Sequence, residues 1–430
     1  MIAYAKHMGE TMPKKHIIIK HIILAILTIL CLYTVSLTNF AFATPDPNRV
    51  LTVNPGESIQ TAINNANDGD TILVKAGTYY ESVVVNKSVS IVGESLSGTV
   101  IDGKGAAQYI FHVVASNVFI GNFTLKDTNP DPNTYSYAVG VVNVVNVTAK
   151  NLIITNVVIG IDLKSSNFTK VIGNQIKGCK IWALRLHEKS CNNTIACNTF
   201  ENNPTAIYFA DSSSRFSKVY HNNFINNVND VVSWAVNYFD NGYPSGGNYW
   251  SSCTAQDLNH GPHQNETGSD GILDEAYLSD KYPFVYPLTF IEIPIAGEHF
   301  QIIASTNSTL NSYTFNPQIK SLRLTLSGVD GTIGACRITI PKRLLSSDQP
   351  NQWNIMLSNE KLSYLALEDL ENTYLYVTYT QLSIFEIEVN GTKAIPEFSV
   401  SFILMILLGA TALIMVIEAR ILFNRGKIYK

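Results

Sequence analysis

Six side chains between residues 162 and 234 have the types and the spacing of a ligand-binding face. Asp162, Arg185 and Tyr208 each follow the last by 23 residues, and Lys164 and His187 are separated by the same step. Trp234 occupies the equivalent place two repeats after His187. Carboxylate, guanidinium and aromatic groups in one array hydrogen-bond hydroxyls, pair with charged groups and pack rings against apolar surfaces. That set suits a polysaccharide. The plainer alternative is an ordinary solvated face in which Asp162 and Arg185 make a surface salt bridge worth little.

The same residues frame the catalytic possibilities. Glycoside hydrolysis needs two carboxylates about 5–10 Å apart. The acidic residues of the repeat region are Asp162, Glu188, Glu201, Asp211 and Asp230, and no two fall in one outward column on neighbouring repeats. Lyase or epimerase chemistry on a uronate needs instead a base and a group that neutralises the carboxylate. His187 with Arg185 and Lys164 is the weak candidate set for it.

The repeats that must position these residues are regular. Asn174, Asn198 and Asn222 are 24 residues apart, and Ile161, Leu184, Ile207 and Val231 recur at steps of 23, 23 and 24. A fixed period in the twenties marks a solenoid. Apolar and polar residues alternate over short runs rich in β-branched residues, Asn and Gly, the period-2 sign of strands. A leucine-rich repeat would show several leucines at fixed offsets, and these are missing. The expected fold is all-β: a parallel β-helix, with Asn at a turn in each coil because it tolerates left-handed backbone angles and bonds to the coils above and below. Alternation places Ile161/Leu163, Leu184/Leu186, Ile207/Phe209 and Val231/Ser233 in the core. It points Asp162/Lys164, Arg185/His187, Tyr208/Ala210 and Val232/Trp234 outward.

The flanks divide the rest. Ser58 is a plausible N-cap, and Ile59, Ala62, Ile63 and Ala66 share one face of a capping helix over 58–67, which would cover the open first coil. Coils run to about residue 236, interrupted by a corner loop, Asp127 to Tyr135. A closing segment rich in Gly, Pro, Tyr and Trp spans 237–288, ending the β-helix domain of 44–288. Alternating strands over 289–393 read as a β-sandwich.

The chain has 430 residues, a formal net charge of -4 and 15% charged residues. Nothing in that balance points to nucleic acid. Lys14, Lys15 and Lys20 precede the apolar run Ile22 to Leu37 and the A-x-A site Ala41-Phe42-Ala43, the layout of a signal peptide over 1–43, with an uncleaved anchor as the alternative. Ser399 to Ile417 is an uncharged stretch long enough to span a bilayer, and Arg420, Arg425, Lys427 and Lys430 follow it in a basic tail over 418–430. The expected location is the cell surface, with the body outside and one C-terminal span as anchor. Cleavage leaves Cys179, Cys191, Cys197, Cys253 and Cys336. One disulfide among the first three and buried free thiols are the two readings. Sequons at Asn86, Asn146, Asn167, Asn192, Asn265, Asn307 and Asn390 are glycosylation candidates, and that at Asn122 sits inside a coil.

Several stretches resemble known proteins. NPGESIQTAINNANDGDTILVKAGTYYE (54–81) is similar to the opening of right-handed parallel β-helices of the pectin-lyase superfamily. NTIACNTFENNPTAIYF (193–209) resembles the coils of NosD-type proteins, also called carbohydrate-binding and sugar-hydrolase repeats. GGNYWSSCTAQDLN with SDGILDEAYLSDKYPFVYPL resembles the close of that domain in archaeal surface members. ACRITIPKRLL and IPEF resemble the sandwich and the tail found there. The resemblance implies the fold and a glycan partner.

The chain departs from the pattern in two places. Arg185-Leu186-His187-Glu188 faintly resembles the Asp-Pro-His-Glu/Asp motif of alginate epimerases, but its leading Asp and its Pro are absent. The closing segment's Asp-Gly run is thinned to Asp270-Gly271 and Asp274-Glu275, so Asn265, Asp270 and Asp274 are only weak calcium candidates, since Ca²⁺ takes six to eight oxygens. Copper, implied by the NosD name, finds only His260, His263 and Cys253 as soft ligands, at no standard spacing. The expectation is therefore a surface β-helix without a required cofactor, binding or organising envelope polysaccharide, lifted off the membrane by its sandwich as a stalk. A uronate lyase or C5-epimerase, and an adhesion or envelope-structural module, are the alternatives. The binder and the enzyme predict a concave charged and aromatic groove over Asp162 to Trp234, and the structural module a face that is flat, or covered by glycans and the Asp127–Tyr135 loop.

Overall fold

The computed structural model describes residues 49–295, 297–358 and 360–395. The apolar runs expected as signal segment and membrane span lie outside these. Among the described residues no helix is long and apolar enough to cross a membrane.

From Val50 to Trp250 the chain winds into a parallel β-helix. Nine of its strands follow one another along one sheet and seven along a second, every pair parallel. The expected inward residues Ile161, Leu163, Leu184, Leu186, Ile207 and Phe209 are fully buried. Ser233 is exposed, because its coil is the last of the second sheet. Each fully buried Leu, Ile or Phe contributes about 1.5–3 kcal/mol. Inside the stack Phe200 lies on Phe224 at 5.3 Å, and Phe224 on Trp250 at 4.2 Å with ring planes 6° apart.

The helix at the opening is Ile59–Asn65. Its N-cap Ser58 accepts from the Thr61 amide, and Ile59 and Ile63 are buried against the first coil.

The asparagine ladder is real, but its two expected roles fall on different residues. Asn174, Asn198, Asn222 and Asn248 are fully buried, and each of the first three donates its side-chain N–H to the next Oδ1 at 2.9 Å. The left-handed turn belongs to the residue just before: Gly173, Cys197 and His221 have φ of 67°, 58° and 54°. The ladder amide is consumed in bonding between coils, so its neighbour makes the bend. A parallel ladder runs through Asn203 and Asn227 at 3.0 Å.

Leu288–Ile295 opens a C-terminal domain of two five-stranded antiparallel sheets that share one hydrophobic core. It is not a stalk. Its first strand lies along the side of the solenoid: Leu288 exchanges two backbone hydrogen bonds with the Asn223 side chain, while Glu292 pairs with Lys150 at 3.6 Å, three coils nearer the capping helix. Four residues of strand, about 13 Å, match three coil spacings, about 14 Å. Cys197 Sγ donates to Gln301 in the same contact. Buried Arg337 reaches from the domain to the carbonyls of Pro244 and Asp270 in the closing segment. Side-by-side packing follows because Asn223, Cys197 and Lys150 project from the coils' flank.

Candidate functional site

The outward columns run as the period requires. Asp162, Arg185, Tyr208 and Val232 are register partners on successive coils, with His112 and Gly140 continuing the column upstream, and Lys164 pairs with His187. Trp234 lies one residue beyond the end of its strand and is exposed there, off the ladder.

Asp162 is on this face but not open to solvent. Arg185 covers it with a bidentate pair, Nε to Oδ1 at 2.6 Å and Nη2 to Oδ2 at 2.9 Å, and the His187 ring lies 3.4 Å from Oδ2. The Asp162 side chain retains 5% of its exposure. Burial pushes its carboxyl upward, but the hydrogen bonds from His187 and Arg185 outweigh that and hold it below the usual range. This is a tighter pair than the weak surface bridge expected. Lys164 meets Glu188 at 3.2 Å.

An aromatic array lies beside these groups. Trp182 stacks on Tyr208 with centroids 4.9 Å apart, and Tyr135 stacks on Trp182 at 5.8 Å with planes 5° apart. The Arg185 guanidinium sits 5.1 Å from the Trp182 ring centre and 5.5 Å from that of Tyr135. Tyr109, His112 and Tyr137 extend the array, with Tyr137 Oη 2.7 Å from His112 Nδ1. Burial, followed by the charge of Asp162, pushes the Tyr137 phenol up to about 12. Burial lowers His112. Tyr137 lies across Gly140, where a Cβ would meet its ring at 2.2 Å, so the glycine gives the ring its seat.

Strict alternation misses Trp182, Tyr137 and Tyr109. Two consecutive residues turn inward on each strand: Ile110-Phe111, Ala138-Val139, Gly160-Ile161, Ala183-Leu184 and Ala206-Ile207 are all buried. The outward residue before Arg185 is therefore three back, at Trp182, and not two. The signal was the recurring doublet of a buried residue beside the Ile161 row. Tyr135 comes from the Asp127–Tyr135 loop, which does lie against this face. It contributes a half-exposed ring there.

The calcium candidates are not brought together as one set. Asp274 accepts from the Leu258 and Asn259 amides, Asp270 from Ile272, and Asn265 is exposed. The five described cysteines are unpaired, and burial pushes the Cys179 and Cys197 thiols up to about 12.

Residues 55–255 match the model of a family described as periplasmic copper-binding protein (NosD). That match spans the solenoid and ends before the C-terminal domain. No curated protein matches the chain. Among solved structures, the alginate lyase from Paenibacillus sp. str. FPU-7 is 12% identical over 47% of this chain and 80% of its own, with a TM-score of 0.32. Pectate lyase Pel9A is 15% identical over 51% and 72%, at 0.36. The polygalacturonase from Erwinia carotovora ssp. carotovora is 14% identical over 47% and 75%, at 0.32. Likeness at this level assigns no chemistry to the solenoid.

Copper favours imidazole and sulfur ligands. Among the described residues no three His, Cys, Asp or Glu side chains are grouped to hold a metal ion. His260 is engaged by the Gly268 carbonyl at 3.2 Å and lies 3.5 Å from Glu266. This donor set does not fit a copper centre.

Proposed function

We propose that the protein is a cell-surface β-helix that binds polysaccharide of the envelope through its aromatic face and does not cleave it. The observation that carries this reading is the array of Tyr135, Trp182 and Tyr208 beside Arg185, half-open to solvent across neighbouring coils. Rings repeated along a rigid ladder suit a ligand that repeats as well. The non-catalytic part rests on Arg185: it is committed to Asp162, so it is not free to neutralise a uronate carboxylate. The apolar stretch 399–417 with its basic tail supports anchoring by one C-terminal span, and the run 22–37 supports export. The exposed sequons Asn86, Asn146, Asn192, Asn265 and Asn307 are then the best placed for glycans.

The test is binding of the purified full chain to a panel of envelope and plant polysaccharides, with product analysis in the same tubes. Binding that Tyr208→Ala weakens, without new chain ends, supports the reading. Unsaturated products absorbing in the ultraviolet would replace it with a lyase, and no binding to any polymer would favour a structural module.

A further inference from the structure

Resting on the glycan-binding reading, we infer that the aromatic face takes a neutral polysaccharide and discriminates against polyuronates. The argument begins with the charges. Two cations on the face, Arg185 and Lys164, meet two carboxylates, Asp162 and Glu188, at 2.6 and 3.2 Å. His187 lies between them, 3.3 Å from Asp162 and 3.7 Å from Glu188. Lys180, at the edge, donates to the Pro130 carbonyl of the loop that carries Tyr135. Arg185 and Lys164 are thus each paired with a carboxylate, and the rings of Tyr135, Trp182 and Tyr208 lie beside these closed pairs.

A polyuronate brings one carboxylate per sugar. To be held it must find a cation: Lys164, taken from its exposed pair with Glu188, or Arg185, which must be prised from Asp162. Asp162 would then be left nearly buried with a second negative charge beside it, and an unpaired buried charge is costly. The pair also has geometry that a ligand carboxylate cannot improve, because both Asp162 oxygens already accept from the guanidinium fork. A neutral sugar requires no such exchange. Its C–H face packs on a ring while its hydroxyls reach the tyrosine Oη atoms, and the ion pairs stay closed under it. Such binding is insensitive to ionic strength, whereas binding through released cations is screened by salt.

The experiment is calorimetric titration of the full chain with neutral glucans, mannans and galactans and with polygalacturonate and alginate, each at low and at high salt. The expected result is tighter binding to a neutral polymer, by about tenfold or more, unchanged by salt. Trp182→Ala is expected to weaken it about tenfold, and Trp182→Phe, which keeps a ring in the stack, to restore most of it. Polyuronate binding that fades with salt would overturn the neutral assignment while leaving glycan binding in place. No binding to either class of polymer would remove both readings together.

Discussion

Arg185 grips both carboxylate oxygens of Asp162 from the next coil, at 2.6 and 2.9 Å, and leaves that carboxylate almost no contact with water. Removing one partner of such a pair is far more damaging than removing both. Arg185→Ala is expected to destabilise the solenoid by about 3 kcal/mol in denaturant unfolding, and the double variant Asp162→Leu/Arg185→Leu to recover most of that loss. Additive losses would show that the two residues act separately.

Titration at the closing segment has two opposed parts. Burial raises Asp257 to about 7, reinforced by the nearby charges of Asp270 and Asp274 against the amides of Gly271 and Asp270. A carboxyl raised on folding stabilises fully below its unfolded value and loses that contribution as pH rises through about 7. Burial lowers His221 to about 4, so its contribution is present above the ordinary histidine range and is lost as pH falls toward 4. The melting temperature of wild type relative to Asp257→Asn should therefore fall from pH about 4 to 7, and relative to His221→Asn it should rise. Flat differences would remove these assignments.

Asn198 makes one hydrogen bond to the Val171 carbonyl and one to Asn222, and it accepts from the amide and side chain of Asn174. Asn198→Ala strands the Val171 carbonyl and the amide and side chain of Asn174 on the neighbouring coil, and is expected to cost on the order of 3 kcal/mol. Exposed Asn202, a turn residue with φ 54°, should tolerate Gly with little change. Equal effects at the two sites would mean that the ladder adds nothing.

Arg337 is the C-terminal domain's deepest contact with the solenoid, fully desolvated and bonded to two carbonyls. Arg337→Met should uncouple the two domains, visible in calorimetry as a single transition splitting in two. A single transition at a lower temperature would place the coupling elsewhere, at Asn223 and Leu288.

Much of this was legible in the chain. The 23–24-residue rows predict the columns because parallel strands align identical positions on every coil, and Ile161, Leu184 and Ile207 are indeed partners. The ring at Trp182 was not, because Ala183-Leu184 both turn inward and break a rule that assumes strict alternation. Nor was the true exposure of Asp162, which depends on how far Arg185 reaches across one coil. The position of the C-terminal domain was hidden for another reason: its contacts join single residues 65 and 104 positions apart, with no periodicity to betray them.

The strand Leu288–Ile295 travels back up the solenoid, and Ala394 pairs with Leu345 at the far end of its domain, near where Arg343 meets Glu298. The C-terminal end of the described chain is therefore carried back toward the capping-helix end of the solenoid, beyond the level of Lys150. A tether attached to either flank would hold the molecule from that end. The closing segment then lies at the distal end, and the rings of Tyr135, Trp182 and Tyr208 stand along the side of an upright post. A polymer lying flat over the tethering surface would meet the rungs of that post edge-on, whereas one strung upright would run across them from base to tip.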